Sequence, residues 1–276
     1  MNTDPAIIKS HDTKCFLMKA KDGYLLVDTG YVWRQEAFVG QLRKQNVAVR
    51  EIRHIFLTHY HDDHSGLLNY FVSENPDVRI ILHKSGKDLL LIGRNTYDRN
   101  ACVPTRRCAK SWHVLDLFSN QTGRVPPYAV RETDILQEED DDALLRELGI
   151  DGKIILTPGH SPDSMCILLD NGDLYAGDAA MSSWPALLTG CKYTTIAILD
   201  LDMYYDSWQK IIDCGAKVVH PAHGKPFSVK KLEENHRKIK KLWPSPKSRP
   251  VRKWRSARAA AKTKKDAERA ERRERI

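Results

Sequence analysis

Four potential metal ligands crowd into one short stretch: His59, His61, Asp63 and His64, within Thr58-His59-Tyr60-His61-Asp62-Asp63-His64-Ser65-Gly66. Imidazoles this close repel one another once protonated, and they are costly to desolvate when left empty. A divalent cation relieves both problems, because neutral imidazole and carboxylate are good zinc ligands. His59 and His61 are two apart, so on an extended segment their side chains share one face. Asp63 and His64 fall where the chain turns into a helix from Ser65 onward, and can aim at a second ion. The bland alternative is a solvated polar turn after a strand. A lone His-x-His deserves that reading; His-x-His-x-Asp-His at a strand end is far more specific.

The elements that must position these groups are short apolar runs. Residues 5–9, 14–19 and 23–28 read as strands, and Leu25, Leu26 and Val27 suit a strand buried on both faces. Residues 32–46 predict an amphipathic helix. A strand over 52–58 leads into the histidine motif, followed by a helix that Pro76 closes. Then come a strand at 78–83, a helix at 85–93, a long aperiodic insertion over 94–125 and a strand at Tyr128–Arg131. The acidic run Glu138–Asp142 reads as a solvated turn. Strands are expected at 153–156, 165–169, 173–176 and 217–220, with Asn171-Gly172 as a hairpin turn. Residues 181–200 read as a loop, and 203–214 and 228–243 as helices. Strand after strand ends on a polar residue that a packed core would not want: Asp28, the histidine cluster, His160, Asp178 and His223. Loops at one end of a sheet are where rigid scaffolds place chemistry.

Charge separates the chain into two parts. The net charge is +8, but residues 244–276 hold thirteen Lys/Arg against four Asp/Glu, leaving 1–243 near neutral. We therefore divide the chain into a catalytic domain, 1–243, and a basic Ala/Lys/Arg-rich tail, 244–276, that opens on Pro244, Pro246 and Pro250. The tail has helix propensity but almost no large apolar residues, so it is helical or disordered and cannot build a core. Its sharper reading is an arm that binds RNA, DNA or another anionic surface through phosphates. No apolar run is long enough to span a membrane. Met1–Ser10 shows no signal-peptide pattern, so a cytoplasmic protein with reduced cysteines is expected. Cys102 and Cys108, close to Arg99, Arg106 and Arg107, are an alternative reactive or bridging pair.

With these residues assembled, the chain resembles the metallo-β-lactamase superfamily over roughly residues 5–243. All five of that family's motifs are present in order: Asp28; His59-x-His61-x-Asp63-His64; His160; Asp178; and His223. The resemblance implies an α/β fold of four layers, an αββα sandwich of two mixed sheets with helices outside. It also implies a ligand set. His59, His61 and His160 would bind one metal, Asp63, His64 and His223 the other, and Asp178 would bridge them. Asp28 would hold a ligand histidine or a metal-bound water in place, and Asp63 would be the proton shuttle. The implied cofactor is two Zn2+ per chain, with iron or manganese as alternatives, sharing a hydroxide that attacks the substrate.

Details near the motifs discriminate among branches. A bridging Asp178 resembles the lactonase, thioesterase and phosphodiesterase branches more than true β-lactamases. His61 stands where flavodiiron proteins carry glutamate. Acyl-homoserine lactonases place a Tyr three residues after the bridging Asp; Met181 is there instead, and Tyr193 is a candidate substitute. The expected activity is a metal-dependent hydrolase of a small ester, lactone or thioester. The alternatives are a phosphodiesterase or nuclease recruited by the basic tail, a β-lactamase side activity, and a nucleic-acid-binding module with a structural metal. Trp112, Phe118, Trp184 and Tyr193 are candidates to line an acyl pocket, or are ordinary core aromatics. A homodimer stays open.

Overall fold

A computed structural model describes residues 4–96, 123–184 and 191–239. Two sheets carry the architecture. The first runs β1 (Ala6–Ser10), β2 (Thr13–Ala20), β3 (Gly23–Val27), β4 (Ile52–Phe56), β5 (Arg79–His83) and β6 (Ile135–Gln137), side by side in that order. Its first three strands are antiparallel and the rest parallel. The second sheet has the order β11 (Phe227–Ser228), β10 (Val218–Pro221), β9 (Asp173–Gly177), β8 (Met165–Leu169) and β7 (Gly152–Leu156). Only its β9–β10 pair is parallel.

The continuous apolar runs have a direct cause: the inner strands such as β2, β3 and β8 are buried on both faces. On β2, Phe16 and Met18 point into the space between the sheets while Cys15 and Leu17 point outward under helices. On β8, Met165 and Ile167 point in while Cys166 and Leu168 point out. Three core layers result. The central one joins Phe16, Leu25, Val27, Phe56 and Ile81 to Ile154, Met165, Ile167 and Tyr175. One outer layer packs α1 (Gln35–Lys44) and α3 (Leu68–Glu74) through Phe38, Leu42, Leu68 and Phe71; the other packs α6 (Leu201–Asp213) and α7 (Lys230–Ile239) through Tyr204, Trp208, Ile211 and Leu232. Helix, sheet, sheet, helix is the expected four-layer order. The short helices α2 (Asp62–Ser65), α4 (Gly86–Ile92) and α5 (Leu144–Glu147) complete the described elements. None of the described helices is long and apolar enough to cross a membrane.

Two local expectations need correction. Tyr128–Arg131 is not a strand. Tyr128 Oη and the Arg131 backbone N–H both donate to Asp134, at 2.6 and 2.8 Å, which makes this segment a side-chain-stapled turn. The strand of that region is β6, whose three residues are too few to show a period. The helix expected over 32–46 begins with a separate 3-10 turn at Val32–Arg34. The tail, with Cys102 and Cys108, lies outside the described residues.

Candidate metal centre

The polar residues that end the strands meet at one edge of the sandwich. Asp28 follows β3, the histidine motif follows β4, His160 follows β7, Asp178 follows β9 and His223 follows β10. The sheets are joined there by a hydrogen bond from Met165 N–H to the Thr58 carbonyl, 2.9 Å. Gly177 sits at φ +49°, and a Cβ added there would stand 2.6 Å from Thr58 Oγ1. Only glycine lets β9 deliver Asp178 this close to the Thr58 loop. Asp28 itself adopts φ +61°, a strained value for a residue with a side chain.

Three imidazole nitrogens converge first. His160 Nε2 is 3.1 Å from His59 Nε2 and 3.0 Å from His61 Nδ1. All three residues are 1 % exposed. A second group lies beside it: Asp63 Oδ2 is 3.2 Å from His64 Nε2 and 3.0 Å from His223 Nε2. Asp178 stands between. Its Oδ1 is 3.7 Å from His64 Nε2 and 3.4 Å from His223 Nε2, while its Oδ2 is 3.7 Å from His160 Nε2. His59-His61-His160 and Asp63-His64-His223 each gather three donor atoms tightly enough for one cation, and His59-His64-Asp178 links the groups.

Each ring is aimed by what its other nitrogen touches. His64 Nδ1 faces Asp28 Oδ2 at 2.7 Å, His160 Nδ1 the Ala197 carbonyl at 2.7 Å, His59 Nδ1 the Thr58 hydroxyl at 3.1 Å, and His223 Nδ1 the Asp12 carbonyl at 3.2 Å. Those four rings present Nε2 to the centre and His61 presents Nδ1. Asp28 is fixed in turn by the Thr58 N–H and hydroxyl, both donating at 2.8 Å to its two oxygens. Thr13 Oγ1 donates to Asp63 Oδ2 at 2.8 Å.

The two groups differ in charge. Burial, then the neighbouring rings, drives His59 well below the ordinary histidine value, and burial also lowers His61 and His160. On the other side burial is outweighed: Asp63 and Asp28 hold His64 well up, and Asp178 and Asp63 hold His223 at about 9. His64 Nε2 and Asp178 Oδ1 are buried without a hydrogen-bond partner among the described residues. Unpaired buried polar atoms are expensive. Neutral nitrogens, carboxylates and these orphaned atoms fit a divalent metal site.

A family model described as the metallo-beta-lactamase superfamily matches residues 11–223. The chain belongs to the metallo-beta-lactamase superfamily. It is 25 % identical over 237 residues to the lactamase-like protein nscB of Aspergillus fumigatus, covering 84 % of this chain and 54 % of that one. The chain thus spans about half the length of that relative. The probable metallo-hydrolase YqjP of Bacillus subtilis is 26 % identical over 234 residues, 81 % of this chain and 70 % of that one. In fold, a superfamily protein of Sulfolobus tokodaii superposes with a TM-score of 0.57 at 20 % identity, over 86 % of each chain.

Of the candidate aromatics of this superfamily member, Trp184 and Tyr193 are among the described residues. Trp184 is 61 % exposed. Tyr193 packs its ring on Phe227, 4.3 Å between centroids, against the apolar layer outside the second sheet. Trp112 and Phe118 lie outside the described residues. Sequence reasoning missed Thr13, Thr58, Asp12 and Ala197, which aim the ligands through hydroxyls and carbonyls. The position of Thr58 directly before His59 is the one signal that pointed to any of them.

Proposed function

We infer that this chain is a metal-dependent hydrolase with a dinuclear centre, holding two zinc ions and acting on a small ester, lactone or thioester. The observation that carries the reading is Asp178, whose two oxygens address the two groups of donors separately. His59, His61 and His160 would hold one ion and Asp63, His64 and His223 the other. A closed structural site needs only four ligands, and six around a shared carboxylate support catalysis instead. Ions so placed supply a Lewis acid and a nucleophile at neutral pH.

The chain's own residues set the direction of approach. His59, His61, His64 and His160 are no more than 1 % exposed, whereas Asp63, Asp178 and His223 are 9, 8 and 7 % exposed. Substrate therefore enters over the two carboxylates and His223. Asp63 is at that opening with Oδ2 anchored by Thr13, His64 and His223. It is placed to accept a proton from the attacking water and pass it to the leaving group.

Metal analysis of the purified chain, with a panel of lactones, thioesters and phosphodiesters, tests this reading. The expected result is about two ions per chain and turnover of carboxylic substrates that a chelator abolishes. Hydrolysis confined to phosphodiesters and lost on truncation to 1–243 would move the assignment to the nuclease alternative. A chain that takes up no divalent metal would end the reading.

A further inference from the structure

The metal-binding loop is braced from behind by a pair of residues far along the chain. His59 and His61 turn ring nitrogens to the centre beside His160, while the Tyr60 ring, 4.5 Å from that of His61, carries its hydroxyl to the side of Thr96. That side is not simply packed in the core. The Tyr60 hydroxyl forms a short hydrogen bond with Thr96 Oγ1 and accepts the Thr96 backbone N–H at 3.0 Å. Asp62, between ligands His61 and Asp63, exchanges two hydrogen bonds with Asn95. Its N–H donates to Asn95 Oδ1 at 2.9 Å, and Asn95 Nδ2 donates to its Oδ1 at 2.7 Å. Asn95 and Thr96 are half-buried and tied into a two-stranded neck. Arg94 bridges Arg124, Asn95 N–H donates to the Gly123 carbonyl at 2.7 Å, and Val125 N–H to the Gly93 carbonyl at 3.1 Å.

We propose that Asn95 and Thr96 are positioning residues of the metal centre, acting through Asp62 and Tyr60 to hold His59, His61 and Asp63 at the spacing that two cations require. The inference rests on the dinuclear reading above. Its physical basis is that the two residues alternating in sequence with these ligands, Tyr60 and Asp62, are both held by this brace. A loop fixed only by its ligands must pay the ordering cost when the ions arrive; a loop fixed from behind meets them preformed. Asn95 supplies a donor and an acceptor to one partner, so no aspartate, serine or alanine can replace both bonds.

The test compares Asn95→Ala and Thr96→Val with Asn69→Ala. Asn69 Nδ2 donates to the Pro127 and Pro126 carbonyls, at 3.1 and 3.4 Å, and has no hydrogen bond to the metal loop among those of the described residues. The probes are zinc affinity by chelator competition, the visible spectrum of the cobalt-substituted protein, and thermal midpoints of the metal-free forms. Asn95→Ala is expected to weaken zinc binding by about 10- to 100-fold, the range for partners that orient ligands, and to shift the cobalt spectrum. Thr96→Val, which keeps its backbone N–H, is expected to do the same to a smaller degree. Asn69→Ala should leave affinity and spectrum as in the parent. Wild-type affinity and spectrum in Asn95→Ala would overturn the proposal, as would losses no larger than those of Asn69→Ala at equal metal-free stability. A parent chain that binds no zinc would instead defeat the dinuclear reading, so the two failures are distinct.

Discussion

Asp28 Oδ2 stands 2.7 Å from His64 Nδ1, and both side chains are buried. A carboxylate can only accept here, so the ring keeps its proton on Nδ1 when a metal displaces the other one, and it is Nε2 that is turned toward Asp63 and Asp178 as the ligating atom. Asp28→Asn keeps the shape and reverses the logic. If the new amide N–H meets Nδ1, the proton moves to Nε2 and the ring cannot ligate. If the amide is flipped, the negative charge is still gone. We expect Asp28→Asn to retain the fold but lower affinity for the ion at Asp63-His64-His223 by about 10- to 100-fold. Metal titration of the variant checks this, and unchanged stoichiometry and affinity would count against an orienting role.

The two sides of the centre should differ in proton release. Ligating imidazole must be neutral. His59, His61 and His160 are held below the ordinary value of 6.5, so at pH 7.5 they already lack the proton. His223 is held at about 9 and His64 well above its ordinary value, so these two carry protons that an incoming ion must displace. The first ion should bind with little proton release. The second should release one to two protons, and its affinity should climb with pH until about 9. The sign for stability is opposite. In the metal-free chain the raised His223 stabilises the fold fully below about 6.5, and that contribution fades as pH rises through about 9. Calorimetry in buffers of different ionisation enthalpy measures the protons directly; equal release for both ions would refute the assignment.

The convergence of the candidate ligands was legible in the sequence because histidines and aspartates recur at successive strand ends, where a packed core would not want them. The strands were legible because burial on both faces writes unbroken apolar runs such as Leu25-Leu26-Val27. The residues that aim the ligands were not. Thr13 and Thr58 are ordinary strand residues by type, and the acceptors for His160 and His223 are backbone carbonyls of Ala197 and Asp12, which any residue offers. The Tyr128–Arg131 error has the same root. Its aromatic and β-branched residues suit a strand, but the carboxylate of Asp134 captures the backbone first.

Tyr193 is expected to be dispensable for the chemistry. Its ring leans on Phe227 within the apolar layer outside the second sheet, so Tyr193→Phe is expected to remove nothing that the ions use. We expect kcat/KM on a lactone or thioester substrate to stay within about twofold, under 0.5 kcal/mol of transition-state binding. A loss beyond tenfold would show that the hydroxyl reaches the substrate.

Asp163 should limit stability at neutral pH. It is 2 % exposed, its Oδ1 has no hydrogen-bond partner among the described residues, and burial pushes its carboxyl up to about 7. The unfolded chain ionises near 3.8, while the folded carboxyl keeps its proton until about 7. The folded state therefore binds more protons across that window, and stability falls as pH rises through it. Asp163→Asn removes this slope. Its gain over the parent, measured by urea unfolding of metal-free protein, should grow between pH 4 and 7 to the order of a few kcal/mol and then level off. Parallel pH profiles for the two proteins would contradict it.

Gly177 offers the sharpest test of how the second sheet delivers its carboxylate. The residue holds φ +49° one position before Asp178, and an added Cβ would meet Thr58 Oγ1 at 2.6 Å and Thr58 Cβ at 2.7 Å. Neither atom is the free end of a flexible chain. Thr58 Oγ1 is bound to Asp28, and the Thr58 backbone holds β4's end to Met165. Gly177→Ala must therefore separate β9 from the Thr58 loop, at a cost of about 1–3 kcal/mol for backbone strain and overpacking. The displacement acts on both groups of donors at once, because Asp178 addresses His160 with one oxygen and His64 and His223 with the other. A variant that stays folded should bind both ions more weakly, whereas loss confined to one ion would mean that Asp178 serves a single group. Combining Gly177→Ala with Thr58→Ser removes the methyl that stands 3.1 Å from the added Cβ. That double variant should regain a small part of the stability, and its failure to do so would assign the strain to Thr58 Oγ1 and Cβ, which serine keeps.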